Sequence, residues 1–534
     1  MKGSDLLVKC LENEGVKHIF GIPGEENLDL MDSLIGSNIE FVLTRHESSA
    51  AFMAGMVGRL TQRPGVCLST LGPGASNMVI GVGEAYLGYY PMVALSGQVR
   101  TEQQRSPRKQ YIDLVSMFKP ITKSSFSIRD PNSIPDLARK AFATATTERP
   151  GPVFVELPED VLKSTAGARP CPVVHEAPAA ADFETEAIRK LLINSKKPLI
   201  LSGQGVIRGR ASEELTRFAS AWSIPVAMTW LGAGSISCEN PLSLGLVGLR
   251  KADLVRGAFE EADLIILVGF DVIEFEPQFW NIGAPKKVVY MGAAPCDGAP
   301  GFQPDIQVLG DVGHILMALN RHPRPRVDWA SGYRVELDRA ISALPEDSSP
   351  VKPQQVIHAI RDALGRDGIV VSDVGAHLIW MAQRYPVYGP STALLSNGLL
   401  PMGVGVPWAI AAKLTHPDRK VVASVGDGSF LMTSMELETA KRLGTPFVVV
   451  VWNDSEYGLI KLKQERAFGR GRSIGTRFNN PDVVKFAESL GAEGYRVSSA
   501  ADLKEALTRS LNDDSLAVID VVIDHEENSR LKIQ

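Results

Sequence analysis

The chain has 534 residues, 44% hydrophobic and 22% charged, enough for several buried cores and about three domains at ~100–200 residues each. A net charge of −5 without a sizeable basic run gives no indication of a nucleic-acid footprint. Five scattered cysteines, Cys10, Cys67, Cys171, Cys238 and Cys296, make neither a disulfide framework nor a CxxC metal site and suit a reducing cytosol. No uncharged apolar stretch reaches ~18 residues, so no membrane span is expected. The amphipathic opening MKGSDLLVKCLENEG lacks the apolar core and cleavage site of a signal peptide.

In chain order, residues 1–165 alternate helical patterns with short apolar strands: HIFGIPG, IEFVLTRHE, GVCLSTLGPG, PMVALSG and GPVFVELP. STAGARPCPVVHEAPAAADF, 164–183, reads as a linker. Residues 184–340 repeat the alternation with KPLILSGQG, IPVAMTW, ADLIILVGFD and KVVYMG, and ALPEDSSPVKP, 343–353, is a second linker. Residues 354–534 alternate again through GIVVSDVG, TALLSN, RKVVASVGDG, PFVVVVWN and LAVIDVVID. Strands alternating with helices predict three doubly wound, mostly parallel α/β domains of similar size.

The chemistry concentrates in VGDGSFLMTSMELETAKRLGTPFVVVVWN, 425–453. A strand runs into a Gly-Asp-Gly turn, followed by the helix SMELETAKRLG and a second strand ending at Asn453. Ligands of parallel sheets bind beyond the carboxyl ends of strands, and glycines with a helix N-terminus offer N–H groups to phosphate. Two parallel strands of one βαβ unit finish at the same edge, so Asp427 and Asn453 converge. Carboxylate, amide and main-chain oxygens with diphosphate oxygens make an all-oxygen shell that suits Mg²⁺.

GDG followed after 26 positions by Asn resembles the signature of thiamine diphosphate enzymes. The resemblance implies that Asp427, Asn453 and the main-chain oxygen of Ser455 bind the metal. It places Gly426, Gly428 and Ser429 on the diphosphate, with Gly375, Ala376 and His377 of DVGAH contacting it too. Many relatives carry Gln where this chain has Ala376. In LTRHESSAAFMAGMVGRL the family's activating glutamate falls on Glu47, after the strand IEFVLTRH; desolvation is expected to raise its pKa toward the working range. Arg45 and His46, adjacent on that strand, are expected to point to opposite faces. In SNGLLPMGVGVPWAIAAKL, Met402 matches the apolar wedge that bends the cofactor, and the Leu400 carbonyl matches the acceptor for its amino group. Glu47 and Asp427 lie ~380 residues apart, and in this superfamily the glutamate of one subunit meets the cofactor of another. A homodimer or homotetramer with interfacial active sites is therefore expected.

Across nearly the whole chain, FGIPGEENLDLMDSL, STLGPGASN, RPGPVFVELPEDV and MELETAKRLG resemble the acetolactate synthase (acetohydroxyacid synthase) family. The implied domains are an N-terminal pyrimidine-binding domain at 1–165, a central domain at 184–340 and a C-terminal diphosphate-binding domain at 354–534. The implied reaction is decarboxylation of a 2-oxo acid, with pyruvate favoured, and carboligation to a second 2-oxo acid. LVGFDVIEFEPQFWN, 267–281, resembles the FAD-independent catabolic branch, so FAD is possible but not favoured, and GQGVIRGR, 203–210, is a lone Gly-rich turn. Gln110 matches a glutamine facing the reacting centre, preceded by Lys109 where His or Phe is common. Leu459 and Ile460 match apolar positions near the reacting carbons, and Lys463 stands where catabolic relatives carry Gln. Gly72, Pro73 and Gly74 form a tight turn against the site. Lys109 and Lys463 leave open a lyase or ligase for another acidic substrate. A simple decarboxylase is disfavoured because no adjacent His pair occurs among the nine histidines. A non-catalytic module would be expected to lose Glu47 or Asp427. A cytoplasmic location is expected from the scattered cysteines and the absence of a signal-peptide pattern in the opening residues.

Overall fold

The computed structural model describes residues 1–173, 185–283, 285–300, 302–321, 323–325 and 328–531. Its strands form three six-stranded sheets, parallel throughout. The first has β1 His18–Gly21, β2 Glu40–Leu43, β3 Gly65–Ser69, β4 Met92–Gln98, β5 Ser124–Ser127 and β6 Pro152–Pro158, in the order β2-β1-β3-β4-β6-β5. The second has β7 Pro198–Ser202, β8 Val226–Thr229, β9 Ser243–Val247, β10 Leu264–Val268, β11 Lys287–Gly292 and β12 Ile306–Leu309, in the order β12-β11-β10-β7-β8-β9. The third has β13 Ile369–Ser372, β14 Ala393–Leu395, β15 Val421–Gly426, β16 Val448–Asn453, β17 Glu493–Val497 and β18 Ala517–Val522, in the order β14-β13-β15-β16-β18-β17. First and third sheets therefore share one strand order, while the middle sheet has the order of dinucleotide-binding domains.

Both faces of each sheet are covered, as all-parallel sheets require. Along β10, Leu264, Ile266 and Val268 enter one core and Ile265 and Leu267 the other, the two-residue alternation of a strand. The helices that matter for the site are α1 Glu47–Thr61, α2 Gly72–Leu87, α3 Ala376–Arg384, α4 Gly405–Thr415, α5 Asp427–Thr433, α6 Glu436–Leu443 and α7 Gly458–Phe468. The chain divides into two compact units, the first joining Gly398–Pro417 and Thr433–Thr445, hence α4 and α6, to the first sheet. Within it α4 packs on α1. Trp408 meets Tyr90 edge to face at 6.3 Å, and the Arg59 guanidinium lies 5.3 Å from the Tyr90 ring centre. The second unit holds the middle and third sheets.

Every strand that the apolar runs predict is present, and the four they miss (β5, β9, β12 and β17) are all sheet edges. An edge strand is buried less completely, so its apolar run is weak: β17 reads Glu-Gly-Tyr-Arg-Val and only Val497 is buried. Three local expectations are corrected. Gly-Asp-Gly is no open turn, because β15 ends at Gly426 and α5 begins at Asp427, one helix earlier than SMELETAKRLG. β2 stops at Leu43, so Arg45 and His46 lie on a connection and strand alternation does not govern them. Gly72-Pro73-Gly74 is the first turn of α2, with Pro where an N–H is dispensable. The 164–183 linker falls outside the described residues from 174 onward. Among the described residues, no helix is long and apolar enough to cross a membrane.

Candidate active site

Strand order in the third sheet reverses direction between β13 and β15, the point where open α/β sheets bind ligands. The segments leaving these two strands meet there. Ser429 Oγ donates to the Val374 carbonyl at 3.3 Å. A side-chain carbon added at Gly426 would come within 3.1 Å of the His377 ring. His377 is buried, its Nε2 has no partner among the described residues, and burial lowers its pKa to about 4. The backbone of Gly428 lies bare against the Tyr457 ring, which a side-chain carbon there would meet at 2.5 Å and have to displace. Gly375 and Ala376 complete this rim at the start of α3.

Next to it the side-chain oxygens of Asp427, Asn453 and Ser455 converge, whereas the Ser455 main-chain oxygen expected on the metal accepts Phe478 N–H at 3.2 Å. Asp427 is buried in α5, where Oδ1 accepts its neighbour Gly428 N–H at 2.8 Å and Oδ2 accepts Ser455 N–H at 2.7 Å. Asn453 ends β16, and its Nδ2 donates to Asp520 Oδ1 at 2.8 Å, which turns its Oδ1 inward. Arg496 Nε donates to the other Asp520 oxygen at 3.1 Å and fixes that carboxylate. Asn480 joins the two ligand oxygens: its Nδ2 lies 2.8 Å from Asp427 Oδ2, 2.9 Å from Asn453 Oδ1 and 3.4 Å from Ser455 Oγ. Its own Oδ1 is buried without a partner among the described residues. Burial raises the Asp427 pKa against these donors. Asp454 is raised to about 7, by burial first and then by Asp427 and Glu456. Hard oxygen donors gathered in a buried, negative setting fit a Mg²⁺ ion.

In the first unit, Glu47 opens α1 and is nearly buried. Its Oε2 accepts Asn77 Nδ2 at 2.9 Å, and a side-chain carbon at Gly74 would press its Oε1 at 3.0 Å. Gly74 therefore leaves room for this carboxylate, and Gly72 lies under the Gln110 carbonyl. Lys109 and Gln110 are exposed on the connection between β4 and β5. Met402 sits half-buried on a turn three residues before α4 rather than in a helix, with the exposed Leu400 just ahead.

Leu400 (φ +56°), Gln110 (φ +63°) and Ser455 (φ +55°) all hold the left-handed region that side chains rarely adopt. Such strain collects at functional positions. In the second unit, α7 has no buried residue: Leu459 packs partly against the core, Ile460 is half-exposed and Lys463 is exposed. Three side chains of the site were not singled out from the sequence. In the first unit Asn77 and Glu436 stand inside the quoted STLGPGASN and MELETAKRLG, while in the second unit Asn480 comes from a distant segment, which no local pattern signals.

Three family models match. The thiamine pyrophosphate enzyme N-terminal TPP binding domain covers residues 1–117, the central domain 185–319, and the C-terminal TPP binding domain 373–521. Acetolactate synthase of Bacillus subtilis is 35% identical over 99% of this chain and 94% of its own length. The catabolic acetolactate synthase of Raoultella terrigena is 33% identical, with 99% and 96% covered. The acetolactate synthase isozyme 2 large subunit of Escherichia coli is 30% identical, again with 99% and 96% covered.

Proposed function

Since the chain belongs to the thiamine pyrophosphate enzymes of the acetolactate synthase family, we propose that it decarboxylates a 2-oxo acid, pyruvate by preference, and joins the remaining fragment to a second 2-oxo acid. The observation carrying this reading is the meeting of Asp427 Oδ2 and Asn453 Oδ1 around one amide nitrogen at the sheet's switch point. Asp427, Asn453 and the Ser455 main-chain oxygen would hold Mg²⁺. Gly426, Gly428, Ser429, Gly375, Ala376 and His377 would hold the diphosphate, and Glu47, Leu400 and Met402 the pyrimidine end. When bound, thiamine diphosphate supplies the electron sink for loss of CO₂. Glu47 holds or releases a proton at its carboxylate, kept in place by Asn77 and pressed by Gly74. Leu459 and Ile460 keep water from the reacting carbons, which favours ligation over protonation, and Gln110 orients the acceptor.

FAD is not favoured in this reading. In the middle sheet the Gly-rich turn after β7 is already filled by a carboxylate. Glu274 takes the Gln204 N–H at 3.1 Å and the Thr229 hydroxyl, where a dinucleotide phosphate would otherwise sit. Burial, then Asp271, raises its pKa.

A homo-oligomer, dimer or tetramer, completes each site with groups of two subunits. The unburied α7 and the exposed apolar Ile460, Phe468 and Ile474 support this. The five free cysteines support a cytoplasmic location. A second reading, an acidic acceptor other than pyruvate, rests on the exposed Lys109 and Lys463. Mass-spectrometric product analysis with a panel of 2-oxo acids, Mg²⁺ and thiamine diphosphate, with and without FAD, decides both. Acetolactate from pyruvate alone is expected, and its absence with every 2-oxo acid would end the proposal.

A further inference from the structure

The connection that delivers Glu47 is held by a second glutamate. β2 ends at Leu43 and α1 starts at Glu47, so Arg45 and His46 have left the sheet ladder and their N–H groups need acceptors. Both go to one oxygen. Glu436 Oε1 accepts Arg45 N–H at 2.9 Å and His46 N–H at 3.2 Å, while its Oε2 accepts the Thr439 hydroxyl at 2.6 Å. Glu436 has no exposed surface. The rest of α6 grips the same connection. Glu438 pairs with the Arg45 guanidinium at 2.8 Å, and Arg442 donates to the Leu43 carbonyl. His46 then caps α1, its Nδ1 accepting Ser48 N–H at 3.2 Å.

We propose that Glu436 is a positioning residue for the acid: its carboxylate fixes the Arg45-His46 backbone and thereby sets where Glu47 stands at the start of α1. This rests on the reading of Glu47 given above. Two N–H groups on one oxygen define the path of the connection. Without that oxygen they must turn to solvent, and Glu47 moves with them. The requirement is for an acceptor at a given reach. Glutamine keeps Oε1 in place and sets its amide against the Thr439 hydroxyl, which can accept. Aspartate is one methylene too short.

The test uses the full chain with Mg²⁺ and thiamine diphosphate, comparing E436Q, E436D, E436A and E47Q. It reads kcat, KM, proton exchange at the cofactor C2 and amide hydrogen exchange across residues 40–47. E436A and E436D are expected to lose kcat and C2 exchange by about 10- to 100-fold, the effect of a displacement near 1 Å, with KM within about threefold. Amide exchange over 40–47 should quicken, while E436Q stays within about threefold of wild type in every measure. Should E436A not fold, E436D carries the same expectation. Wild-type C2 exchange in E436D, or E436Q as impaired as E436D, overturns the inference while leaving Glu47 in its role. Wild-type C2 exchange in E47Q overturns the role of Glu47 and the inference with it.

Discussion

His377 should stay neutral far below the pH at which an ordinary histidine takes its proton. The ring is enclosed between the rim of Gly375 and Gly426 and the Trp452 ring, whose centre is 6.0 Å away. Burial drives its pKa from 6.5 to about 4, and only the bond to the Asp373 backbone opposes this. At about 1.4 kcal/mol per tenfold change in proton affinity, the fall amounts to about 3 kcal/mol, with little solvent to screen it. As pH drops, the unfolded chain takes up this proton through 6.5 and the folded chain only near 4. Stability from His377 is therefore complete above 6.5 and drains between 6.5 and 4. Labelling the nine histidines with ¹³C at Cε1 and assigning His377 by its loss in H377Q gives a direct reading. Its resonance should hold the neutral shift at pH 5, and the denaturant midpoint of H377Q should fall less than wild type between pH 7 and pH 5. A titration midpoint above 6 would refute the argument from burial.

Glu47→Gln should keep cofactor binding, seen as circular dichroism of the bound cofactor, and lose most turnover, a loss on the order of 10²–10⁴-fold for a missing proton-transfer group. Asp427→Ala should abolish Mg²⁺-dependent cofactor binding in calorimetry, and Asn480→Ala should weaken it about 10- to 100-fold, the usual scale for a group that orients metal ligands; unchanged affinity in both would discard the metal assignment. Mixing equal amounts of the E47Q and D427A chains after reversible dissociation should restore about a quarter of wild-type activity, since half of random dimers are hybrids and each hybrid holds one intact site. No recovery would mean that both groups serve a site within one subunit. FAD should neither appear in the visible spectrum of the purified protein nor stabilise it on addition; a thermal shift saturating with FAD would contradict the filling of the β7 turn by Glu274.

The central strands were legible because a strand buried on both faces must be apolar at nearly every position, and VVVV and LIILV leave little choice. The edges β5, β9, β12 and β17 carry no such signal, and only pairing with a neighbour makes them strands. Asp427 and Asn453 could be paired from sequence because one βαβ unit brings its strand ends to one edge. Asn480, whose amide joins them, comes from a loop 53 residues beyond Asp427, and Glu436 lies 391 residues from the Arg45 N–H it accepts. Local patterns report on backbone geometry within a few residues. Which distant side chain supplies a missing acceptor or turns a ligand inward is settled only when the packed sheet has placed both, because hydrogen bonds act over about 3 Å and carry no memory of sequence distance.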